Sequence, residues 1–234
     1  MCVVALALDA HPHWRLVVAG NRDEFHVRAS APLARWDEAP HVIGGRDLVS
    51  GGGWIGVSET GRFAVVTNVA GYPRGKDAPS RGALVADYLR DGTLPDDAAL
   101  PAFGGFSLMT VGEAADFRSN RPTLIHQPLA AGLHGISNGP LDPPWPRTRT
   151  LTAALGDWLD ADTAPDALLA TLADETSVVE GERPVFIRDA VYGTRCSTVI
   201  AIAHDGSGTM IERRFDAGGM AAGETRLDVA WPGR

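Results

Sequence analysis

The chain has 234 residues, of which 44% are hydrophobic and 21% are charged, the proportions of an ordinary soluble globular protein. A chain of this length can bury a full hydrophobic core, so we predict a single domain over residues 1–234. The formal net charge of −8 argues against nucleic acid as the main partner, because binding to nucleic acid requires a basic face.

The first predicted element is a β-hairpin at the amino terminus. Two apolar runs, at 2–8 and 14–20, flank a polar turn that contains Pro12. The second run continues into the segment Asn21-Arg22-Asp23-Glu24. Because an antiparallel hairpin returns the end of its second strand to the start of its first, this segment is expected beside Cys2.

Cys2 is the first candidate for chemistry. The small side chain at position 2 allows removal of the initiator Met1, after which Cys2 carries a thiol and a free α-amine. With pKa values of about 8.5 and 7.7–8.0, these groups supply a nucleophile and a base on one residue, as in N-terminal-nucleophile hydrolases. Asp23 would orient the amine. The alternative is that Cys2 is a small buried hydrophobic residue at the start of a strand.

The remaining pattern indicates strands, then helices, then strands. Residues 25–40 contain two prolines and predict a loop, and residues 41–48 contain a Gly-Gly turn. Further strands are expected at 54–58, 62–68, 106–111, 123–126, 185–187, 194–204 and 209–215, and helices at 80–90, 148–159 and 165–174. This order favours an α+β fold or a layered sandwich over alternating βαβ units.

Short motifs occur in order along nearly the whole chain. They are Met1-Cys2, Asn21-Arg22-Asp23-Glu24-Phe25, Gly44-Gly45-Arg46-Asp47-Leu48, Gly52-Gly53-Trp54-Ile55-Gly56-Val57, Thr67-Asn68, Ser80-Arg81-Gly82, Ser137-Asn138, Trp145-Pro146, Tyr192-Gly193-Thr194-Arg195 and Glu212-Arg213. Together they resemble the NRDE family, also called the transport and Golgi organisation 2 family. The resemblance implies a four-layer αββα sandwich of the N-terminal-nucleophile hydrolase type. Roles proposed for the family include haem trafficking and handling of lipid or acyl-coenzyme A species.

Hydrolases of the choloylglycine hydrolase and penicillin V acylase type resemble this chain in the order of their site residues. They begin with Cys, carry Asp at the end of the first hairpin, place asparagines near the oxyanion and have an Arg late in the chain. The resemblance implies a catalytic site of Cys2, Asp23, Asn68, Asn138 and Arg195. One position of this chain differs from the hydrolase pattern, in which an Arg lies about three residues before the Asp. Here Arg22 directly precedes Asp23, and neighbours on a strand point to opposite faces, so Arg22 is expected to point away from the thiol.

Two glycine-containing motifs match known patterns only formally. Gly51-x-Gly53-x-x-Gly56 has the spacing of a dinucleotide fingerprint, but a strand and a turn are predicted where the fingerprint requires a helix. These glycines are expected to let a loop pack closely against Cys2 or a ligand. The segment Gly135–Gly139 matches the G-x-S-x-G nucleophile elbow, yet the prolines that follow argue against the helix that an elbow requires.

Cysteine usage and cofactor motifs set further expectations. Two cysteines, Cys2 and Cys196, are too few for a disulfide framework and suit a reducing compartment. The first apolar run is too short to span a membrane and lacks the features of a signal peptide, so we expect a cytoplasmic protein without a transmembrane segment. No Cys-x-x-Cys or His-Glu-x-x-His occurs, so no metal site is predicted.

The residues and the family resemblance together imply two alternative functions, both with a small molecule as partner. In the first, Cys2 hydrolyses an amide bond without a cofactor, Asn68 and Asn138 stabilise the oxyanion, and Arg195 supplies positive charge. In the second, the same pocket binds haem or an acyl-coenzyme A-like lipid without turnover. The seven histidines and Cys2 offer axial ligands for haem, but no attachment motif is present.

Overall fold

The computed structural model describes residues 2–161, 163–177 and 179–233. These residues form thirteen β-strands and three α-helices, with short 3-10 helices at Leu100–Ala102 and Pro165–Ala167. The strands are β1 Val3–Leu8, β2 Trp14–Phe25, β3 Ser30–Trp36, β4 Ala39–Asp47, β5 Ile55–Ser58, β6 Arg62–Asn68, β7 Phe106–Val111, β8 Ala115–Ser119, β9 Ile125–Pro128, β10 Gly132–Ile136, β11 Tyr192–Ala203, β12 Ser207–Phe215 and β13 Ala221–Ala230. The helices are α1 Arg81–Asp91, α2 Pro146–Ala161 and α3 Leu168–Leu172.

The chain divides into two compact units, and each unit contains one antiparallel sheet. The first unit comprises Met1–Val27, Ala131–Ser137 and Leu141–Arg234. The second comprises Arg28–Ala130 and Asn138–Pro140. The predicted removal of Met1 concerns a residue outside the described ranges and stays a prediction.

The sheet of the first unit has six strands in the order β10-β1-β2-β11-β12-β13. Helices α2 and α3 cover one of its faces, where small and branched side chains of β1, β2 and β11 alternate with residues that point to the opposite face. The buried residues beneath the helices include Val3, Ala5, Ala19, Val199 and Ile211. This alternation decides which face each site residue occupies.

Helix α2 forms where its apolar period predicts. Leu151, Leu155, Trp158 and Leu159 are spaced at three to four residues and are buried against the sheet. Pro146 occupies the first helical position, where the missing N–H has no intrahelical partner to lose. No helix in the described ranges combines the length and the apolar character that crossing a membrane would require.

The sheet of the second unit has seven strands in the order β3-β4-β5-β6-β7-β8-β9. Helix α1 packs on β4, β5 and β6 through the buried side chains Leu84, Val85 and Leu89. The helix ends at Gly92, whose φ of 76° favours glycine and whose N–H donates to the carbonyl of Tyr88. The prediction of a helix at 80–90 is confirmed.

Several predicted elements were wrong or missed. The region 25–40 is not a loop, because β3 forms there as an edge strand, a position that tolerates Pro32. The expected Gly-Gly turn lies inside β4, where Gly44 permits close approach to the carbonyl of Ile55. No strand forms at 185–187, where the carbonyl of Val185 instead accepts hydrogen bonds from side chains. Strands β8, β10 and β13 were not predicted.

The glycine motif after β4 packs against α1 and β4, and its predicted closeness to Cys2 or a ligand stays a prediction. A Cβ atom on Gly52 would lie 2.3 Å from the backbone carbon of Gly82, at the start of the helix. A Cβ on Gly56 would lie 2.7 Å from the carbonyl oxygen of Ile43. These glycines therefore allow backbone-to-backbone contact within the second unit, and the rejection of a dinucleotide fingerprint is confirmed by β5, a strand, at the place of the helix.

We expect Gly52→Ala to destabilise the protein by about 2 kcal/mol or more, because the backbone of Gly82 would have to move. Thermal unfolding of the variant measures the loss. The matched control is Gly75→Ala, since the heavy atom nearest to a Cβ there is 3.8 Å away. Equal midpoints for the two variants would contradict the packing described here.

Candidate active site

The predicted hairpin is present and places the Asn21–Glu24 segment beside Cys2. Strands β1 and β2 pair in the register Val3↔Asn21 and Leu8↔Leu16, so Cys2 lies opposite Arg22. The backbone N–H of Asp23 hydrogen-bonds the Cys2 thiol. The hydroxyl of Ser137, at the end of β10, donates to the carbonyl oxygen of Cys2 at 2.8 Å. The amino-terminal cysteine is thus fixed from both neighbouring strands.

The surroundings of Cys2 favour the protonated thiol. Burial raises the pKa of this thiol, and the Asp23 carboxylate raises it further, while the Arg22 guanidinium lowers it. A thiol with a raised pKa is a weak nucleophile at neutral pH. Catalysis by Cys2 therefore requires a base close to the sulfur.

Asp23 lies on the helix-covered face of the sheet and is 3% exposed. Its Oδ2 accepts a hydrogen bond from Nη2 of Arg147 at 2.6 Å, and its Oδ1 accepts one from Oγ1 of Thr194 at 2.7 Å. The hydroxyl of Tyr192 donates to its backbone oxygen. Burial raises the pKa of the Asp23 carboxyl, and Arg147 and Thr194 oppose that rise. The side chain is held in one orientation by these partners.

Arg147 is a site residue that the sequence reasoning missed. It belongs to the first turn of α2, is 7% exposed and also donates from Nη2 to the carbonyl of Val185 at 2.7 Å. A signal was present, because Arg147 precedes Leu151 and Leu155 at intervals of four and therefore lies on the apolar face of the helix. A charged residue on such a face requires a buried partner.

Asn21 connects β2 to α3 and β11 through buried side-chain hydrogen bonds. Its Nδ2 donates to the carbonyl oxygens of Leu172 and Val185 at 2.8 and 2.9 Å, and its Oδ1 accepts from Ser197 at 2.7 Å. The side chain is fully buried. Asn21 therefore has a structural role beneath α3, whereas the Asp23 carboxylate, two residues further on, binds Arg147 and Thr194.

The expected orientation of Arg22 is wrong. Arg22 and Asp23 do point to opposite faces, but it is Asp23 that lies under the helices, and Arg22 shares its face with Cys2. The effect of the guanidinium on the Cys2 thiol is consistent with this position. Arg22 thus places a cation near the sulfur although it directly precedes Asp23.

Arg195 occupies a β-bulge between Thr194 and Cys196, where β11 has one residue more than β2. Its Nη1 donates to the carbonyl oxygens of Phe25 and His26 at 3.0 and 2.8 Å. These bonds hold the end of β2. The predicted contribution of its charge to catalysis stays a prediction.

Asn68 and Asn138 lie in the second unit, where they contact each other. The Nδ2 of Asn138 donates to the backbone oxygen of Asn68 at 3.0 Å, and the N–H of Ala70 donates to the backbone oxygen of Asn138 at 2.9 Å. Their oxyanion roles stay predictions. The serine between Ile136 and Asn138 is followed by bends and not by a helix, so the segment is not a nucleophile elbow, as expected.

No group of three or more His, Cys, Asp or Glu side chains suited to a metal ion occurs within residues 2–161, 163–177 and 179–233. Binding of haem stays a prediction.

Solved structures share the fold of this chain. An N-acylethanolamine-hydrolyzing acid amidase ortholog from Caenorhabditis elegans aligns with a TM-score of 0.51 and 12% identity over 86% of this chain and 92% of that chain. A variant of conjugated bile acid hydrolase from Clostridium perfringens aligns with a TM-score of 0.54 and 10% identity over 97% and 92%. The chain thus has the α+β fold of N-terminal-nucleophile hydrolases, and the predicted fold class is confirmed.

Sequence comparison identifies the family. A family model described as Transport and Golgi organisation 2 matches residues 1–217. The Transport and Golgi organization protein 2 homolog of Bos taurus is 30% identical, over 91% of this chain and 92% of that protein. The chain belongs to the Transport and Golgi organisation 2 family, as its motifs predict.

Proposed function

We propose that the protein hydrolyses a carbon–nitrogen bond of an amide, with Cys2 as an amino-terminal nucleophile. The observation that carries the proposal is the buried Asp23, oriented by Arg147 and Thr194 and adjacent to Cys2 on a fold of the N-terminal-nucleophile type. Removal of Met1 would place an α-amine on Cys2 itself. That amine is the base that the protonated thiol requires.

The reaction follows from these groups. The α-amine accepts the thiol proton, and the sulfur attacks the amide carbon to give a tetrahedral intermediate. The intermediate collapses to a thioester when the C–N bond breaks, and the leaving amine takes the proton from the α-ammonium. Water then attacks the thioester with the α-amine as base, which releases the carboxylic acid and restores the thiol. Asp23 orients the amine throughout, and the asparagines of the second unit remain candidates for oxyanion donors.

The test compares two preparations, one that begins at Cys2 and one that retains Met1, both verified by intact mass. We expect the form that begins at Cys2 to react with iodoacetamide at pH 7 at least about tenfold faster, since each unit of pKa changes the thiolate fraction tenfold. The form with Met1 should react only as the pH rises above the usual thiol range. Cys2→Ala should abolish labelling, and Cys196→Ser should leave it unchanged because Cys196 is buried.

Equal and slow labelling of both preparations would contradict the nucleophile assignment. The alternative function, binding of haem or an acyl-coenzyme A-like lipid without turnover, would then be tested by titration of each ligand. Rapid labelling would justify a screen of amide substrates on the form that begins at Cys2.

A further inference from the structure

Ser137 is the central residue of the segment Gly135–Gly139, which matches a nucleophile elbow only formally. An elbow exposes the Oγ of its serine to the substrate, whereas Ser137 is only 6% exposed. Its hydroxyl donates to the carbonyl oxygen of Cys2 at 2.8 Å. A buried hydroxyl without a partner would destabilise the fold, and an alanine in its place would need none. The serine is therefore tied to Cys2 by its chemistry.

Cys2 lies just before the paired part of β1. The register with β10 begins at Val4, and the register with β2 begins at Val3. Two hydrogen bonds act on Cys2 at this strand end. The Ser137 hydroxyl binds its carbonyl oxygen, and the backbone N–H of Asp23 binds its thiol. These bonds hold the residue on both sides of its Cα atom.

The geometry at this Cα atom links the two bonds to the amine. The Cα carries the carbonyl carbon, the Cβ with its sulfur, and the backbone nitrogen. Because its bonds have fixed angles, holding the carbonyl group and the sulfur in place also sets the direction of the nitrogen. Turning the nitrogen away would break one of the two hydrogen bonds. The bond from Ser137 therefore limits where an α-amine on Cys2 can point.

The direction of the amine matters for the first step of the proposed reaction. The α-amine has to take the proton of the Cys2 thiol, and such a transfer requires the two atoms to lie within hydrogen-bond reach. A terminal residue that lost one of its hydrogen bonds would sample other orientations. At any moment fewer molecules would then have the amine beside the sulfur, and the reaction would slow accordingly.

We propose that Ser137 is a positioning residue for the Cys2 nucleophile, whose hydrogen bond to the Cys2 carbonyl keeps the α-amine beside the thiol once Met1 is removed. This inference rests on the proposed function. Ser137 keeps its own proton throughout and acts only through the orientation of Cys2. Because the hydroxyl is the group that acts, a threonine at this position should serve and an alanine should not.

The experiment measures iodoacetamide labelling of Cys2 in the unchanged chain and in Ser137→Ala, each prepared both from Cys2 onward and with Met1 retained. At pH 7, Ser137→Ala should slow labelling of the form that begins at Cys2 by about threefold to tenfold, the effect of one typical hydrogen bond. The difference should vanish as the pH rises above the usual thiol range, where the thiol ionises without help from the amine. In the form with Met1 the substitution should leave the rate unchanged, because Cys2 then has no α-amine to position.

Two further variants separate positioning from a general effect on the fold. Ser137→Thr retains the hydroxyl and should restore the labelling rate. Ser119→Ala is the matched control, because the Ser119 hydroxyl is also buried and donates to the backbone oxygen of Phe106 at 2.9 Å in the second unit. It should lower the thermal unfolding midpoint about as much as Ser137→Ala does and leave the labelling of Cys2 unchanged.

The possible failures can be told apart. Equal slowing of both forms by Ser137→Ala, or a loss that threonine does not restore, would overturn the proposal. Fast labelling of the form that begins at Cys2, with no change in Ser137→Ala, would overturn this inference and leave the hydrolase function standing. Slow labelling of both forms of the unchanged chain would overturn the hydrolase function and this inference together.

Discussion

Replacing Arg147 by methionine is expected to lower the free energy of unfolding by about 3–5 kcal/mol at neutral pH, because it leaves the buried Asp23 carboxylate without its cation. The loss should depend on pH. Without Arg147 the pKa of Asp23 in the folded state rises further above its unfolded value of about 3.9. The destabilisation is then smallest at acidic pH and grows as the pH rises above that value. Urea denaturation at several pH values measures both effects.

Two variants make this prediction specific. Arg149→Met removes an exposed arginine of the same helix two residues further on and should change stability by less than about 0.5 kcal/mol. The double variant Arg147→Met with Asp23→Asn removes both charges and should recover a large part of the loss. Equal stability of Arg147→Met and Arg149→Met would show that the ion pair does not hold Asp23.

Replacing Asn21 by alanine is expected to cost about 3–5 kcal/mol, because two buried carbonyl oxygens and the Ser197 hydroxyl lose their partner at about 1–3 kcal/mol each. Ser197→Ala, which removes only one of these bonds, should cost about 1 kcal/mol. Chemical denaturation measures both variants. Once folded, Asn21→Ala should retain the labelling rate of Cys2, since the amide points under α3 and away from the thiol. A tenfold change in that rate would assign Asn21 to the chemistry.

The sequence predicted the parts of the site that depend on local geometry. An antiparallel hairpin necessarily returns its second strand to its first, so the proximity of Cys2 and Asp23 follows from the turn between them. The helical period of α2 was equally visible, because apolar residues recur at intervals of three to four from Leu151 to Leu159.

The partners of Asp23 could not be found in the same way. Arg147 is 124 residues away in sequence and Thr194 is 171 residues away, and no local pattern reports which distant strand or helix will meet β2. The predicted orientation of Arg22 was wrong for a related reason. Alternation along a strand fixes that two neighbours diverge, but the position of the covering helices decides which of them meets the thiol.

The edge strands were missed for different reasons. In β13 the partly buried Thr225, Leu227 and Val229 alternate with exposed charged residues, so the period-two signal of a half-buried strand was present in the sequence and was overlooked. In β3 the proline suggested a loop, because its tolerance depends on the strand having an unpaired side, which only the assembled sheet reveals.

The bulge at Arg195 allows one strand to serve two chemically different surfaces. Thr194 pairs with Asp23 beneath the helices, and two residues later Cys196 pairs with Arg22 on the opposite face of the sheet. In a regular strand two residues so spaced would lie on the same side. Deleting Arg195 would restore the regular alternation, and either Asp23 would lose Thr194 or Arg22 would lose Cys196. Insertions and deletions in this short stretch should therefore be far more damaging than any single replacement of the arginine, which gives protein engineers a clear limit on where the chain can change length.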